Sequence, residues 1–209
     1  MALRIKICGI TREEDAWAAI DAGADALGFV FVPGTPRFIE PARAAAITRG
    51  LPPFVSRVGL FVDAEPALIR ATLAEARLDT VQLHGDELPE VGRCLRGQVR
   101  VIQAFRVRGP EIVQRLAEYR DACDAWLLDA YVPGSSGGTG ARFDWNLAVQ
   151  ARDLGHPLIL AGGLKPENIA EAVQQVRPFA VDVSSGVEAS PGLKSPEKVR
   201  RFVAEARSA

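Results

Sequence analysis

The first residues that could do chemistry are a lysine and a cysteine, two positions apart at the end of an apolar run. The stretch reads Lys6-Ile7-Cys8-Gly9. Because side chains alternate across a strand, Lys6 and Cys8 share one face and Ile7 points to the other. A positive charge beside a thiol favours the thiolate, the reactive form of cysteine. Two alternatives stay open: Cys8 can be a small buried hydrophobic residue, and Lys6 can pair with an interior carboxylate such as Asp182.

Four more polar residues follow or close apolar runs. Arg37 lies in a loop stiffened by two prolines and a glycine, and its guanidinium suits a carboxylate or phosphate, although a solvated arginine is the alternative. Gln82 and His84 share one strand face, where His84 can be an acid, a base, a substrate contact or a structural residue. Asp129 closes an apolar run, where its surroundings can tune a carboxyl group; a helix cap or loop acceptor is the alternative.

Three stretches rich in glycine and serine predict a phosphate site. Their backbone N–H and hydroxyl groups can bind an oxyanion. The residues that we assign to phosphate binding are Gly138, Gly140, Gly162, Gly163, Ser184, Ser185 and Gly186. The loop around Gly138 can alternatively act as a flexible lid. Asp182 shares a strand face with Ser184, so it is either a substrate-binding residue or a structural acceptor.

Short apolar runs alternate with amphipathic, alanine-rich segments along the whole chain. We predict strands at residues 3–8, 26–31, 56–62, 80–84, 99–105, 125–129, 157–160 and 180–184. We predict helices at residues 12–22, 41–49, 65–76, 110–119, 166–176 and 196–206, and others from residues 87 and 144. Thr11 is expected to cap the first helix, with Glu14 three residues on.

This regular alternation predicts an α/β protein, a closed (β/α)8 TIM barrel that forms a single domain over residues 1–209. The competing layout is an open doubly wound sheet, which usually needs a glycine-rich turn after its first strand; Gly9 alone does not supply one. In a barrel the chemistry lies at the C-terminal ends of the strands, which is where the residues named above fall.

Composition excludes several classes of function. A net charge of -1 gives no electrostatic reason to expect nucleic acid or a membrane as partner. The three cysteines, Cys8, Cys94 and Cys123, form neither a disulfide framework nor a zinc motif, and only His84 and His156 could supply imidazole ligands, so no metal is expected. With no secretory signal or membrane span in sight, we expect a cytoplasmic protein.

Taken together and in order, these motifs resemble the phosphoribosylanthranilate isomerase family of tryptophan biosynthesis. The resemblance runs through essentially the whole chain, and the opening motif with the spacing from Asp129 to the GGTG stretch is its most specific part. The segments that carry it are residues 6–11, 36–37, 82–85, 129, 137–140, 143–145, 162–164 and 182–188. The chain departs from the family pattern at Thr35, commonly serine, and at Ser195, often acidic.

The resemblance implies a cofactor-free Amadori rearrangement of N-(5-phosphoribosyl)anthranilate to 1-(2-carboxyphenylamino)-1-deoxyribulose 5-phosphate. It implies that Cys8 is the general base, that Asp129 is the general acid and that Arg37 binds the anthranilate carboxylate. We also assign Gln82, His84 and Asp182 to substrate binding in this site. A small phosphoribosyl substrate is the expected partner, and the chain is expected to be a monomer or a homodimer.

Two other functions stay open from the sequence. Another phosphosugar enzyme on this fold, such as indole-glycerol-phosphate synthase or the histidine-pathway isomerase, would share the phosphate loops. A non-catalytic protein that binds phosphoribosyl ligands would show affinity without turnover, although the presence of both Cys8 and Asp129 argues against it. Fold alone does not decide between them.

Overall fold

The computed structural model describes residues 2–130 and 144–209, and eight parallel strands in it close into a barrel in chain order. The first strand pairs with both the second and the eighth, which closes the ring. The predicted TIM barrel is therefore confirmed, and the open doubly wound sheet is excluded. The strands are β1 (Arg4–Cys8), β2 (Ala26–Val30), β3 (Ser56–Phe61), β4 (Thr80–Leu83), β5 (Arg100–Val107), β6 (Ala125–Ala130), β7 (Leu158–Leu160) and β8 (Ala180–Val183).

Helices follow the strands and surround the barrel. They are α1 (Glu13–Asp21), α2 (Pro41–Arg49), α3 (Pro66–Glu75), α4 (Pro89–Leu95), α5 (Ile112–Glu118), α6 (Trp145–Asp153), α7 (Ile169–Val176) and α8 (Pro196–Ser208). Several begin with proline in the first turn, where the missing N–H costs nothing. Within the described ranges, none is long and apolar enough to cross a lipid bilayer.

Strand alternation separates an apolar layer from a polar interior. Ile5 and Ile7 on β1 belong to the core between barrel and helices, whereas Lys6 and Cys8 on the same strand point inward. A second, smaller apolar cluster fills the lower barrel with side chains such as Leu127. The polar side chains therefore lie above an apolar floor, toward the C-terminal ends of the strands, as the alternation predicts.

Several helix starts differ from the prediction for identifiable reasons. Thr11 does not cap α1; its hydroxyl donates to the Gly192 carbonyl at 2.8 Å, and Arg12 precedes the helix without a side-chain cap. Helix α7 begins at Ile169 instead of residue 166, because Asn168 organises the preceding turn: its Oδ1 accepts from the Lys165 N–H at 2.8 Å.

The sequence analysis missed a small antiparallel hairpin between β8 and α8. A 3-10 turn (Ser185–Val187) leads into β9 (Glu188–Ser190), which pairs with β10 (Leu193–Lys194). These strands are three and two residues long, too short to give a periodic signal. The hairpin buries Glu188 and Lys194, two charged side chains, beside the C-terminal end of the barrel.

The start of α8 gives a direct test of the local structure. Ser195 is its N-cap, and the Ser195 hydroxyl accepts a hydrogen bond from the Lys198 N–H at 3.3 Å. We expect Ser195→Ala to lower the free energy of unfolding by about 1 kcal/mol, because a helix N–H loses its acceptor. Urea unfolding followed by circular dichroism measures this. Ser208→Ala, at the other end of the same helix, is the control and should change stability far less; equal effects would contradict the capping role.

Candidate active site

One cavity at the C-terminal mouth of the barrel collects the predicted site residues of the described ranges. Its lining includes Cys8, Arg37, Gln82, His84, Asp129, Gly162, Gly163, Asp182, Ser184, Ser185 and Gly186. Gly138 and Gly140 lie outside the described residues, as does the rest of the loop that contains them. Residues from six different strand ends thus meet in one place.

Cys8 lies against a buried ion pair. Lys6 Nζ is 3.0 Å from Asp182 Oδ1, both side chains are almost fully buried, and the Lys6 ammonium acts electrostatically on Cys8, on the same face of β1. Although burial alone would lower the pKa of Lys6, the Asp182 carboxylate raises it, so Lys6 is an ammonium. The two roles considered for Lys6 are therefore compatible, since the same ammonium pairs with Asp182 and faces the thiol.

The ionisation of Cys8 reflects two opposed effects. Cys8 is 4% exposed, and burial raises the pKa of its thiol. The positive charge of Lys6 lowers the Cys8 pKa, and Lys194 acts in the same direction, but neither offsets burial and the nearby Asp182 carboxylate. At neutral pH the thiol is consequently the main form, and the thiolate fraction grows as the pH rises.

A glycine on the neighbouring strand leaves room for this thiol. Gly28 on β2 is the register partner of Cys8, and a Cβ at Gly28 would lie 2.7 Å from Cys8 Sγ and 3.1 Å from Lys6 Cε. A side chain at this position would push both groups out of place. A glycine inside a strand thus marks a close approach of functional groups here.

Asp129 is oriented by two neighbours. Its Oδ1 accepts from the Ala130 N–H at 2.9 Å, and its Oδ2 lies 3.2 Å from His84 Nε2. Gln82 Nε2 lies 2.8 Å from His84 Nδ1, and with the amide nitrogen as donor this leaves the proton of a neutral imidazole on Nε2, facing Asp129. Gln82, His84 and Asp129 therefore lie in one polar row that runs from the end of β4 to β6, with β5 between them, although His84 Nε2 makes no hydrogen bond to the described residues. The bond from the Ala130 N–H holds one oxygen of the Asp129 carboxylate, and His84 lies beside the other.

Arg37 is held by a residue that the sequence analysis did not single out. Its Nε and Nη2 each lie 2.8 Å from one carboxylate oxygen of Glu188, so the solvated alternative for Arg37 is wrong. Lys194 Nζ contacts the same carboxylate at 2.9 Å. Gly9, at φ 80°, lets Arg37 cross the end of β1, since a Cβ there would lie 2.6 Å from Arg37 Cδ. The acidic end of the 182–188 motif was the signal that could have pointed to Glu188.

The loops after β7 and β8 face each other at the mouth of the barrel. Gly162 and Gly163 both have positive φ, at 78° and 65°, which exposes backbone that other residues would cover. The buried Ser184 hydroxyl makes no hydrogen bond to the described part of the chain. A buried polar group without a partner is rare, and one at the edge of a cavity is available to a ligand. These features suit an oxyanion.

The Lys6–Cys8 contact gives a prediction that chemical modification can test. In Lys6→Met we expect the pH profile of Cys8 alkylation to move to higher pH, because the thiolate loses its nearest positive charge. Iodoacetamide labelling with mass spectrometry is the measurement. It is best made in a Cys94→Ser background, because Cys94 is exposed.

Cys123 provides the internal control for this experiment. Burial raises its pKa to about 12, so it should stay unlabelled in both proteins across the neutral range. A folded Lys6→Met protein with an unchanged Cys8 profile would show that Lys6 does not influence the thiol.

Comparison with known proteins places the chain in a family. The family described as N-(5'-phosphoribosyl)anthranilate (PRA) isomerase matches residues 5–205. The curated isomerase of that name from Geobacter sp. (strain M21) is 58% identical over 204 residues, which cover 98% of each chain. The corresponding protein from Thiobacillus denitrificans is 53% identical over 208 residues and covers all of both chains.

Solved structures agree with the sequence relatives. The crystal structure of phosphoribosyl anthranilate isomerase from Thermotoga maritima superposes with a TM-score of 0.93 at 45% identity, over 99% of this chain and 100% of that one. Another isomerase structure, in complex with reduced 1-(o-carboxyphenylamino)-1-deoxyribulose 5-phosphate, has a TM-score of 0.90 at 43% identity, with the same coverage. The chain belongs to the N-(5'-phosphoribosyl)anthranilate isomerase family.

Proposed function

We propose that this enzyme of tryptophan biosynthesis isomerises N-(5-phosphoribosyl)anthranilate with Asp129 as general acid and Cys8 as general base. The observation that carries the assignment is that a carboxyl group and a thiol face one cavity from different strands. The same cavity is also lined by the Arg37 guanidinium and by the two phosphate loops. The substrate has a carboxylate, a phosphate and a ring between them, so each part meets a matching group.

The first step opens the ribose ring. Asp129, as a carboxylic acid, gives its proton to the ring oxygen while the C1–O bond breaks, and the anthranilate nitrogen supplies the electron pair that forms an iminium ion. His84 Nε2 lies 3.2 Å from Asp129 Oδ2, and in this mechanism its N–H turns to the carboxylate that the proton transfer leaves behind and stabilises it. A fixed acid at the ring oxygen is what general acid catalysis requires.

The second step moves a proton from carbon. The Cys8 thiolate removes the C2 proton, and the electron pair passes through C1 to the iminium nitrogen and gives an enolamine, which tautomerises to the ketone. The substrate gains no atoms or electrons overall, since the acid gives one proton and the base takes one. The Lys6 ammonium favours the thiolate that starts this step.

The remaining assignments concern binding. The phosphate is held by Gly162, Gly163, Ser184, Ser185 and Gly186, with Gly138 and Gly140 as further donors from the loop after β6. The unpartnered Ser184 hydroxyl supports a ligand at this place. Gln82, His84 and Asp182 line the same cavity, and we assign them to the ribose hydroxyls.

Replacing the acid and the base tests the mechanism. We expect Cys8→Ala and Asp129→Asn each to lower kcat by about 10²- to 10⁴-fold, because each removes one proton-transfer group and leaves the binding groups in place. The loss of substrate fluorescence measures turnover. Affinity for the reduced product analogue, measured by titration, should change little.

Cys94→Ala is the matched control, because it removes a thiol from the exposed face of α4, far from the cavity, and should retain full activity. If Asp129→Asn raised only KM, Asp129 would be a binding residue. If the unmodified protein bound the analogue without turning over the substrate, the non-catalytic alternative would be correct. Turnover of a different phosphosugar alone would favour another enzyme of this fold.

We also propose that two copies of the chain associate through the N-terminal face of the barrel. Phe54 is fully exposed there and has φ 70°, an unusual conformation for an aromatic residue. It lines a cavity of about 850 Å³ with Leu51, Pro52 and the partly exposed Phe179. Exposed large apolar groups around a hollow are typical of protein interfaces. One structural relative, from Thermotoga maritima, is described as dimeric.

Phe54→Arg should shift the protein from dimer to monomer, because it puts a charge into the apolar interface. Light scattering after size-exclusion chromatography measures the mass. Leu68→Arg is the control at an exposed leucine on α3 and should leave the mass unchanged. A monomeric unmodified protein would contradict the proposal.

We expect the enzyme to act in the cytoplasm, in keeping with its three free thiols.

A further inference from the structure

A lysine that the proposed mechanism does not use lies completely buried beside the active site. The Lys194 side chain is 0% exposed, and its Nζ contacts Glu188 Oε1 at 2.9 Å and the Ser184 carbonyl at 3.2 Å. Lysine is almost never fully buried unless it is paired, because desolvation of an ammonium is costly. The formation of a two-strand hairpin does not by itself explain why the chain accepts the desolvation cost of this ammonium.

Glu188 connects this lysine to the substrate-binding arginine. Its Oε1 accepts from both Arg37 Nε and Lys194 Nζ, and its Oε2 accepts from Arg37 Nη2. Arg37 lines the cavity, and its Nη1 makes no hydrogen bond to the described residues. Glu188 therefore holds the Arg37 guanidinium through Nε and Nη2, while Nη1 is available to a ligand.

The net charge of Arg37, Glu188 and Lys194 determines how strongly Arg37 attracts a ligand carboxylate. A guanidinium in a bidentate pair with a carboxylate is a neutral unit, which attracts a second carboxylate only weakly. Burial lowers the pKa of Lys194, and the Glu188 carboxylate at 2.9 Å opposes this effect. With Lys194 as an ammonium the cluster has two positive charges and one negative charge, so one positive charge remains. Although burial alone would raise the pKa of Glu188, Arg37 and Lys194 together hold it below its usual value, so the carboxylate is charged.

We propose that Lys194 is a positioning residue whose positive charge offsets the negative charge of Glu188, so that Arg37 keeps a net positive charge for the substrate carboxylate. Glu188 fixes the direction of the guanidinium, and Lys194 prevents that same carboxylate from cancelling its charge. The inference rests on the proposed function for the identity of the ligand. It goes beyond that function because Lys194 touches neither the substrate nor the proton-transfer groups.

The first variant removes the compensating charge. In Lys194→Met we expect the KM for N-(5-phosphoribosyl)anthranilate to rise about tenfold or more, as expected for a weakened charge-assisted contact. We expect kcat to fall less than KM rises, and to recover at higher pH, because the loss of Lys194 acts on kcat only by raising the pKa of Cys8. Lys194→Arg keeps the charge and should restore most of the affinity. An unchanged KM in folded Lys194→Met would overturn the proposal.

The double variant separates charge compensation from structural damage. Lys194→Met together with Glu188→Gln removes one positive and one negative charge, so the cluster again has one net positive charge. We expect the double variant to regain most of the affinity that Lys194→Met loses. A purely structural role predicts the opposite, because each change removes a buried contact. A double variant no better than Lys194→Met would overturn the proposal.

A pair of ligands tests the same idea without turnover. The probes are the reduced product analogue and the matching compound whose ring lacks the carboxylate. Lys194→Met should weaken binding of the first about tenfold and leave the second unchanged. Equal loss for both ligands would mean that the pocket itself is damaged.

Two further measurements keep the test decisive. If Lys194→Met does not fold, the double variant carries the test alone: near-normal affinity for the carboxylate ligand supports the proposal, and a tenfold loss contradicts it. If the unmodified enzyme binds the analogue but does not turn over the substrate, the proposed function fails. The two-ligand comparison still tests the role of Lys194 in that case.

Discussion

The ion pair between Lys6 and Asp182 is the interaction on which the rest of the site depends. The two residues are register partners on β1 and β8, so their contact lies at the seam where the first and last strands close the barrel. Removing either partner would leave a buried charge uncompensated, which costs far more than the pair gains over apolar residues. The pair thus ties closure of the ring to the charge environment of Cys8, because the Lys6 ammonium that meets Asp182 also contacts the thiol.

A second charged cluster crosses the same region and serves a different purpose. Arg37 and Glu188 are 151 positions apart in the chain, and Lys194 joins them from the hairpin after β8. In the proposed mechanism the first cluster sets the protonation of Cys8, and the second sets the charge offered to a ligand. In the first cluster one cation and one carboxylate cancel, whereas in the second two cations share one carboxylate and one positive charge remains at the cavity.

The sequence could predict the barrel and the faces of its strands, because strand periodicity is a local signal. Lys6, Gln82 and Asp129 point inward for that reason. Glu188 and Lys194 could not be predicted in the same way. Their partners lie on other elements, and the hairpin that positions them is too short for periodicity. The cap assigned to Thr11 was wrong for a related reason: the hydroxyl finds an acceptor in Gly192, at the far end of the chain.

The origin of the site residues explains why the chemistry requires a complete ring. Cys8 and Arg37 come from the first two strand–helix units, whereas Asp129, Asp182 and Glu188 come from the last three. Neither half of the barrel contains both Cys8 and Asp129, the proposed base and acid. The Lys6–Asp182 and Arg37–Glu188 pairs also each join one half to the other. The contact between β1 and β8 therefore completes the fold and the site in one step. This long-range pairing carries a high entropic cost during folding, because a closing loop of 176 positions must form before the buried charges meet.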